Sequence, residues 1–104
     1  IRGNRKDYDD WADMGNPGWS YRDVLKYFKK SEDNKMAYEG DHYAAFHGKG
    51  GPLKVDMFFG FDPIKDMLME MVKESGHNLI EDANMEEQIG FTYMQGTVDK
   101  GRRY

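Results

Sequence analysis

Leucine, isoleucine, valine and phenylalanine, the residues that fill ordinary protein cores, occupy only 18 of the 104 positions. That is about 17% of the chain, under the ~20% at which a sequence starts to look disordered. Disorder also needs a large net charge, and here 15 basic residues nearly balance 19 acidic ones, leaving −4. Eight Met, seven Tyr and two Trp add apolar bulk outside that count. The chain therefore reads as foldable but short of core, a piece the size of one small domain that belongs to something larger. Ile1 standing where an initiating Met would be points the same way, to a fragment or a processed product.

Several classes drop out on simple grounds. No run approaches the ~18 apolar residues of a membrane span, and no basic-then-apolar leader is present in this segment. Zero Cys removes disulfide frameworks, zinc–thiolate sites and thiol nucleophiles. An isoelectric point near 5.3 argues against a nucleic-acid partner, which calls for a basic surface.

The spacing predicts a first helix from Arg5 to Met14, with Tyr8, Trp11 and Ala12 on one face and Gly15 as its stop. A second helix is predicted over Tyr21–Ser31, opened by Ser20 and carrying Val24, Leu25 and Phe28 as an apolar stripe. Trp11, Trp19 and Tyr21 are expected to pack this helical pair. Periodicity then vanishes from Glu32 to Gly51, which reads as a long loop. Pro52–Phe59 alternates as a strand, with Leu53, Val55 and Met57 on the apolar side and Lys54 and Asp56 opposite. Asp62-Pro63 opens a third helix whose face of Ile64, Met67, Leu68, Met71 and Val72 is expected to be core, with Met69 off it and Gly76 closing it. Asn84–Gln88 reads as acidic loop and Ile89–Val98 as a second strand. The tail from Lys100 to Tyr104 shows no terminating device. The fold class is thus α+β: two N-terminal helices, long loop, strand, helix, strand.

No complete catalytic constellation emerges from these residues. His42 and His47 lack the helix and third ligand of a metal site and read as ordinary loop histidines, and His77 as a polar cap. Gly48-Lys49-Gly50-Gly51 leads into Pro52 and a strand, whereas phosphate loops feed a helix N-terminus. The adjacent pairs Asp9/Asp10 and Glu86/Glu87 diverge and cannot face each other across a cleft.

The run Ile1-Arg2-Gly3-Asn4-Arg5-Lys6-Asp7-Tyr8-Asp9-Asp10-Trp11 resembles the glucose–methanol–choline (GMC) family of FAD-dependent oxidoreductases, in its arthropod glucose-dehydrogenase-like form. The resemblance continues through Gly15-Asn16-Pro17-Gly18-Trp19-Ser20-Tyr21 and Tyr27-Phe28-Lys29-Lys30-Ser31-Glu32. It resumes at His47-Gly48, Gly50-Gly51-Pro52-Leu53 and Val55, and again at Gly90-Phe91, Gln95-Gly96-Thr97 and Gly101-Arg102-Arg103.

This resemblance implies an internal fragment of a larger FAD-binding plus substrate-binding enzyme that oxidises the CH–OH group of an alcohol or sugar. Hydride would pass to flavin, and electrons onward to oxygen or a quinone-like acceptor. The family's dinucleotide glycine fingerprint and its catalytic histidine match nothing here. By resemblance, residues 1–49 are the end of the FAD-binding region with the segment covering the cofactor, and residues 50–104 the first part of the substrate-side domain. Ile1, Arg2 and Gly3 are the cofactor-binding candidates, a plain strand-to-helix connection being the other reading of the same three residues. A standalone α+β interaction module without catalytic activity is the alternative for the whole chain.

Overall fold

Helix α1 (Arg5–Asp13) starts where Asn4 accepts the Lys6 amide at 2.8 Å while the Asp7 carboxylate accepts the Asn4 amide at 3.2 Å. This reciprocal capping satisfies donors that a helix start otherwise leaves open. Met14 caps the other end, one residue short of the expected span, and Gly15 turns the chain at φ +95°. Helix α2 covers Tyr21–Ser31 as predicted, with Ser20 accepting the Asp23 amide at 3.3 Å. In this computed structural model residues 1–58 and 62–104 are described. They fall into two units, Ile1–Lys54 and Val55–Tyr104.

The two helices of the first unit meet through aromatic rings. Tyr8 lies 5.3 Å from Trp11, 5.6 Å from Phe28 and 6.3 Å from Tyr21, and Trp11 lies 5.9 Å from Trp19. All but the tilted Tyr8–Tyr21 pair meet edge-on, a geometry that suits the ring quadrupoles. The amide of Tyr21 also donates to Asp9 at 2.9 Å, tying the start of α2 to α1. Trp11, Trp19 and Tyr21 therefore pack the pair as expected, but only Tyr21 is buried; the two indoles stay about half open.

The segment read as loop carries short elements: strand β1 (Glu32–Asn34), a 3-10 turn (Lys35–Tyr38) and helix α3 (Asp41–Phe46). None is long enough to show a period, which is why alternation and helical spacing both miss them. The Asn34 amide nitrogen of the main chain donates to Gly48 O at 2.9 Å, and Gly51 N to Glu32 O at 3.0 Å. Both glycines are there for closeness. A Cβ at Gly48 would lie 1.7 Å from Lys29 O, and one at Gly51 2.4 Å from Glu32 O. The Gly48–Gly51 run is thus a main-chain packing strip, in keeping with the loop reading and not the phosphate one. Beside it, Asp33 accepts the Tyr38 hydroxyl at 2.7 Å, the Gly50 amide at 2.8 Å and the Lys54 ammonium. Led by the Lys54 hydrogen bond, these donors pull the Asp33 carboxyl down from 3.8 to about 2.

Strand β2 (Leu53–Met57) begins at the end of the first unit and continues into the second. There it pairs antiparallel with β3 (Gln95–Gly96), Asp56 opposite Gly96 and Met57 opposite Gln95. The predicted strand reached Phe59, which lies outside the described residues. Its facing departs from the expectation at two residues: Asp56 is buried and Leu53 is 40% exposed, whereas Lys54, Val55 and Met57 are all half-buried. Asp56 takes its own neighbour's amide, Met57 N, at 2.8 Å, so this buried carboxylate has a partner in place.

Helix α4 (Pro63–Glu74) starts as predicted, Asp62 accepting the Ile64 amide at 3.1 Å, and Gly76 follows its end at φ +74°. Its expected core face is corrected, since Ile64, Met67, Leu68 and Met71 are all more than half exposed. The side that meets other residues is set by polar contacts instead. Tyr93 donates to Asp66 at 2.9 Å, and the Lys65 ammonium lies 5.0 Å from the Tyr93 ring.

The predicted strand Ile89–Val98 is also broken up. Phe91 forms a lone parallel bridge with Leu79, β3 covers only Gln95–Gly96, and Val98–Asp99 belongs to a separate strand, β4. Side chains interrupt the ladder: Thr92 Oγ1 donates to Glu81 O at 2.9 Å and Gln95 Nε2 donates to Asp82. The tail does have a terminating device. Strand β4 pairs with β5 (Arg102–Arg103) across Lys100 (φ 49°) and Gly101 (φ 77°). Positive φ at both central residues is the hairpin turn whose twist matches its strands.

Two measurements check this account. Gly48→Ala should lower urea-denaturation stability by about 3 kcal/mol or more, because the clash is with fixed backbone. Gly15→Ala, where a Cβ meets nothing within 4 Å, should lose only the ~1–2 kcal/mol of its left-handed backbone. For Asp33 the folded value is depressed, so its stabilisation is full above pH 3.8 and fades as pH falls through about 2. Asp33→Asn should therefore be less stable than the parent at neutral pH, and the gap should narrow toward pH 2 and close below it.

Candidate functional site

The most enclosed polar cluster sits where β1, the end of α3 and the N-terminal residues converge. Strand β1 leaves α2 with Glu32 turned inward, and there Glu32 is buried beside Asn34 and His47, the last two 0% and 1% exposed. One oxygen, Glu32 Oε1, accepts from three sides: Arg2 NH2 at 2.6 Å, His47 Nδ1 at 2.9 Å and the Gly48 amide at 2.9 Å. Burial pushes this carboxyl up, but the His47 hydrogen bond, the Gly48 amide and the Arg2 charge together outweigh it and hold the group below the usual glutamate range. An ionised carboxylate only accepts, which assigns the proton to His47 Nδ1. The Asn34 amide nitrogen, itself a donor, lies 2.9 Å from the same ring atom and gives it no hydrogen bond while Nδ1 carries the proton; the Asn34 side-chain oxygen accepts Met36 N at 2.9 Å.

The guanidinium of Arg2 is held on three sides. Besides Glu32 it donates NH1 to Phe46 O at 2.6 Å, and its Cζ lies 5.5 Å over the Phe28 ring. Its planar fork fits such a divided set of acceptors where a Lys ammonium would not. Of the three candidate residues, Arg2 thus points inward, while Ile1 is 86% exposed and Gly3 is exposed. Gly3 packs on Tyr8, where a Cβ would come within 2.9 Å of the ring.

Beside this cluster runs an aromatic groove of about 510 Å³ between the helices, lined by Tyr8, Trp11, Trp19, Val24, Tyr27 and Phe28 with Gly18. Among the described residues no three His, Asp or Glu side chains come together to hold a metal ion. No helix of the described residues is long and apolar enough to cross a membrane. His42 lies against Tyr43, ring centres 3.9 Å apart, and His77 lies 5.7 Å from Phe91. Neither joins the cluster. His47 does, although it reads in the sequence as a loop histidine; its signal was adjacency to Gly48, which must be buried wherever main chains press together.

Comparison with known proteins adds an independent line. The family model described as GMC oxidoreductase matches residues 1–104. The glucose dehydrogenase [FAD, quinone] of Drosophila pseudoobscura is 48% identical over the whole chain, and the chain covers 16% of its length. The oxygen-dependent choline dehydrogenase of Brucella anthropi is 38% identical, again over the whole chain and 18% of the relative. The crystal structure of pyridoxine 4-oxidase from Mesorbium loti superposes on 99% of the chain with a TM-score of 0.80 at 30% identity, and 20% of that protein is covered. The chain thus spans less than a fifth of the length of these two curated relatives. With the family model matched over every residue and a relative 48% identical along the whole chain, the chain belongs to the GMC oxidoreductase family.

Proposed function

We propose that these 104 residues serve in an FAD-dependent oxidoreductase acting on the CH–OH group of an alcohol or sugar. The observation that carries this reading is the family match over every residue, 1–104. The names of the relatives support the substrate class, since glucose, choline and pyridoxine all bear hydroxyl groups. Their names support both a quinone and oxygen as electron acceptor. FAD, when bound, supplies the hydride acceptor for such an oxidation.

What the chain itself contributes is a wall and its bracing. Residues 1–49 are proposed to border and cover the cofactor, and residues 50–104 to open the substrate side. Ile1, Arg2 and Gly3 are the proposed flavin-contacting stretch. The donor set supports contact with a flat ring more than with a diphosphate. Ile1 and Gly3 offer exposed main chain and one apolar side chain, whereas the Arg2 charge is committed to Glu32 and Phe46 O. The role left to Arg2 is to hold that main chain in place.

The full-length protein carrying this segment is expected to purify with FAD and to lose its oxidised-flavin absorbance when mixed anaerobically with glucose, choline or another polyol or primary alcohol. Isolation without flavin, or a flavin that none of these alcohols reduces, overturns the reading. Ile1→Trp should alter the visible absorption and circular dichroism of the bound flavin. The same change at Ile89, equally exposed at 86% in the second unit, should leave both unchanged.

A further inference from the structure

We propose that Glu32 is a positioning residue for the cofactor: through Arg2 it fixes the main chain of residues 1–3 against the flavin. This rests on the reading above that residues 1–3 border FAD. The geometry is that of a brace with two feet. Arg2 is anchored by its side chain to β1 through Glu32 and to the end of α3 through Phe46 O, both at 2.6 Å. Two residues on, the Asn4 amide is anchored to Asp7 at 3.2 Å and its side chain caps α1. Gly3 lies between the anchors with the Tyr8 ring against it. Main chain anchored at Arg2 and Asn4 leaves little freedom to Gly3 between them and fixes the point from which Ile1 projects, and pre-set geometry beside a cofactor is what such contacts supply.

Glu32 is the element of this brace that decides its direction. His47 and Gly48 donate to the same Oε1 that Arg2 meets, so the carboxylate has orienting partners besides Arg2. His47 is 1% exposed and cannot swing away, and Gly48 is pinned by its approach to Lys29 O. Asp33, the next residue, turns to a separate set of partners, Lys54, Tyr38 and Gly50. The two adjacent carboxylates therefore make a matched pair for experiment: the same chemistry, one facing Arg2 and one not.

The test uses the full-length FAD-loaded protein with Glu32→Gln, Arg2→Lys, their combination, and Asp33→Asn. Readouts are FAD dissociation constant, visible absorption and circular dichroism of the bound flavin, flavin midpoint potential, and melting of the flavin-free form. Gln keeps the volume and the Oε1 acceptor, so Glu32→Gln should fold. It should bind FAD about ten- to a hundredfold more weakly, the range over which supporting groups tune a bound centre, with a shifted flavin band and potential. Arg2→Lys should do the same, and the combined variant should be no worse than the worse single, because both break one contact. Asp33→Asn should leave the flavin readouts at parent values.

Glu32→Gln with parent affinity and spectrum, while Ile1→Trp disturbs the flavin, overturns the role of Glu32 and leaves the bordering stretch standing. If Ile1→Trp is silent as well, the bordering stretch itself fails. Flavin shifts from Asp33→Asn as large as those from Glu32→Gln overturn the proposal in favour of general destabilisation. Should Glu32→Gln not fold, Arg2→Lys decides: a folded variant with parent flavin readouts overturns the proposal.

Discussion

A single carboxylate oxygen organises the first unit. Glu32 Oε1 collects a charged donor from the N-terminal residues, a ring N–H from the residue after α3 and a main-chain amide from the glycine strip. Segments more than 40 positions apart, Arg2 and Phe46 among them, are thereby joined in one small volume. Burying such a charge is favourable only when its hydrogen-bonding capacity is met, and removing one partner of a buried pair typically costs about 3–5 kcal/mol. The cluster thus demands accuracy from its surroundings, and the glycines at 48 and 51 deliver it by letting main chains touch.

This polar hub explains how a chain poor in core-forming residues holds a defined shape. The buried hydrophobic residues described are Tyr21, Ala37 and Val98, whereas Glu32, Asn34, His47, Asp56 and Asp82 are buried and polar. Ladder, cap and ion pair carry what packing carries elsewhere. In β1 the alternation of a strand sets two neighbouring acids to different tasks, Glu32 inward to Arg2 and His47, Asp33 toward Lys54, Tyr38 and Gly50. Such networks specify geometry more sharply than apolar contacts because each member has to be satisfied.

The elements legible in the sequence were those with strong local signals. Ser20, Asp62-Pro63, Gly15 and Gly76 marked real helix ends, and α2 matched residue for residue. What stayed hidden depended on distant partners. Nothing near Glu32 in sequence announces Arg2, thirty positions away, and nothing near Asp56 announces that this carboxylate is buried. Asp99-Lys100-Gly101-Arg102 was a local signal, but Lys at a positive-φ position disguises the hairpin that Asn-Gly would have shown. His47 was missed because a histidine between short elements has no period to place it. The family resemblance, by contrast, survived intact, since it rests on the run of residues and not on any one spacing.

The exposed apolar surface completes the physical picture. The stripe Ile64, Met67, Leu68 and Met71 on α4 satisfies every rule for a core-facing helix, yet each of these residues is more than half exposed, and Trp11, Trp19 and Tyr27 lie open along the first helices. Clustered apolar surface of this kind marks a place where other polypeptide or a ligand belongs. The division of labour is consistent with the proposed function. Polar contacts within the chain fix the few residues whose position must be accurate, and apolar faces are left for whatever packs against them. In the proposed function hydride would pass from an alcohol carbon to a flavin nitrogen, a step sensitive to small errors of distance, and a wall proposed to border the cofactor is better held by directional bonds than by a loosely packed core.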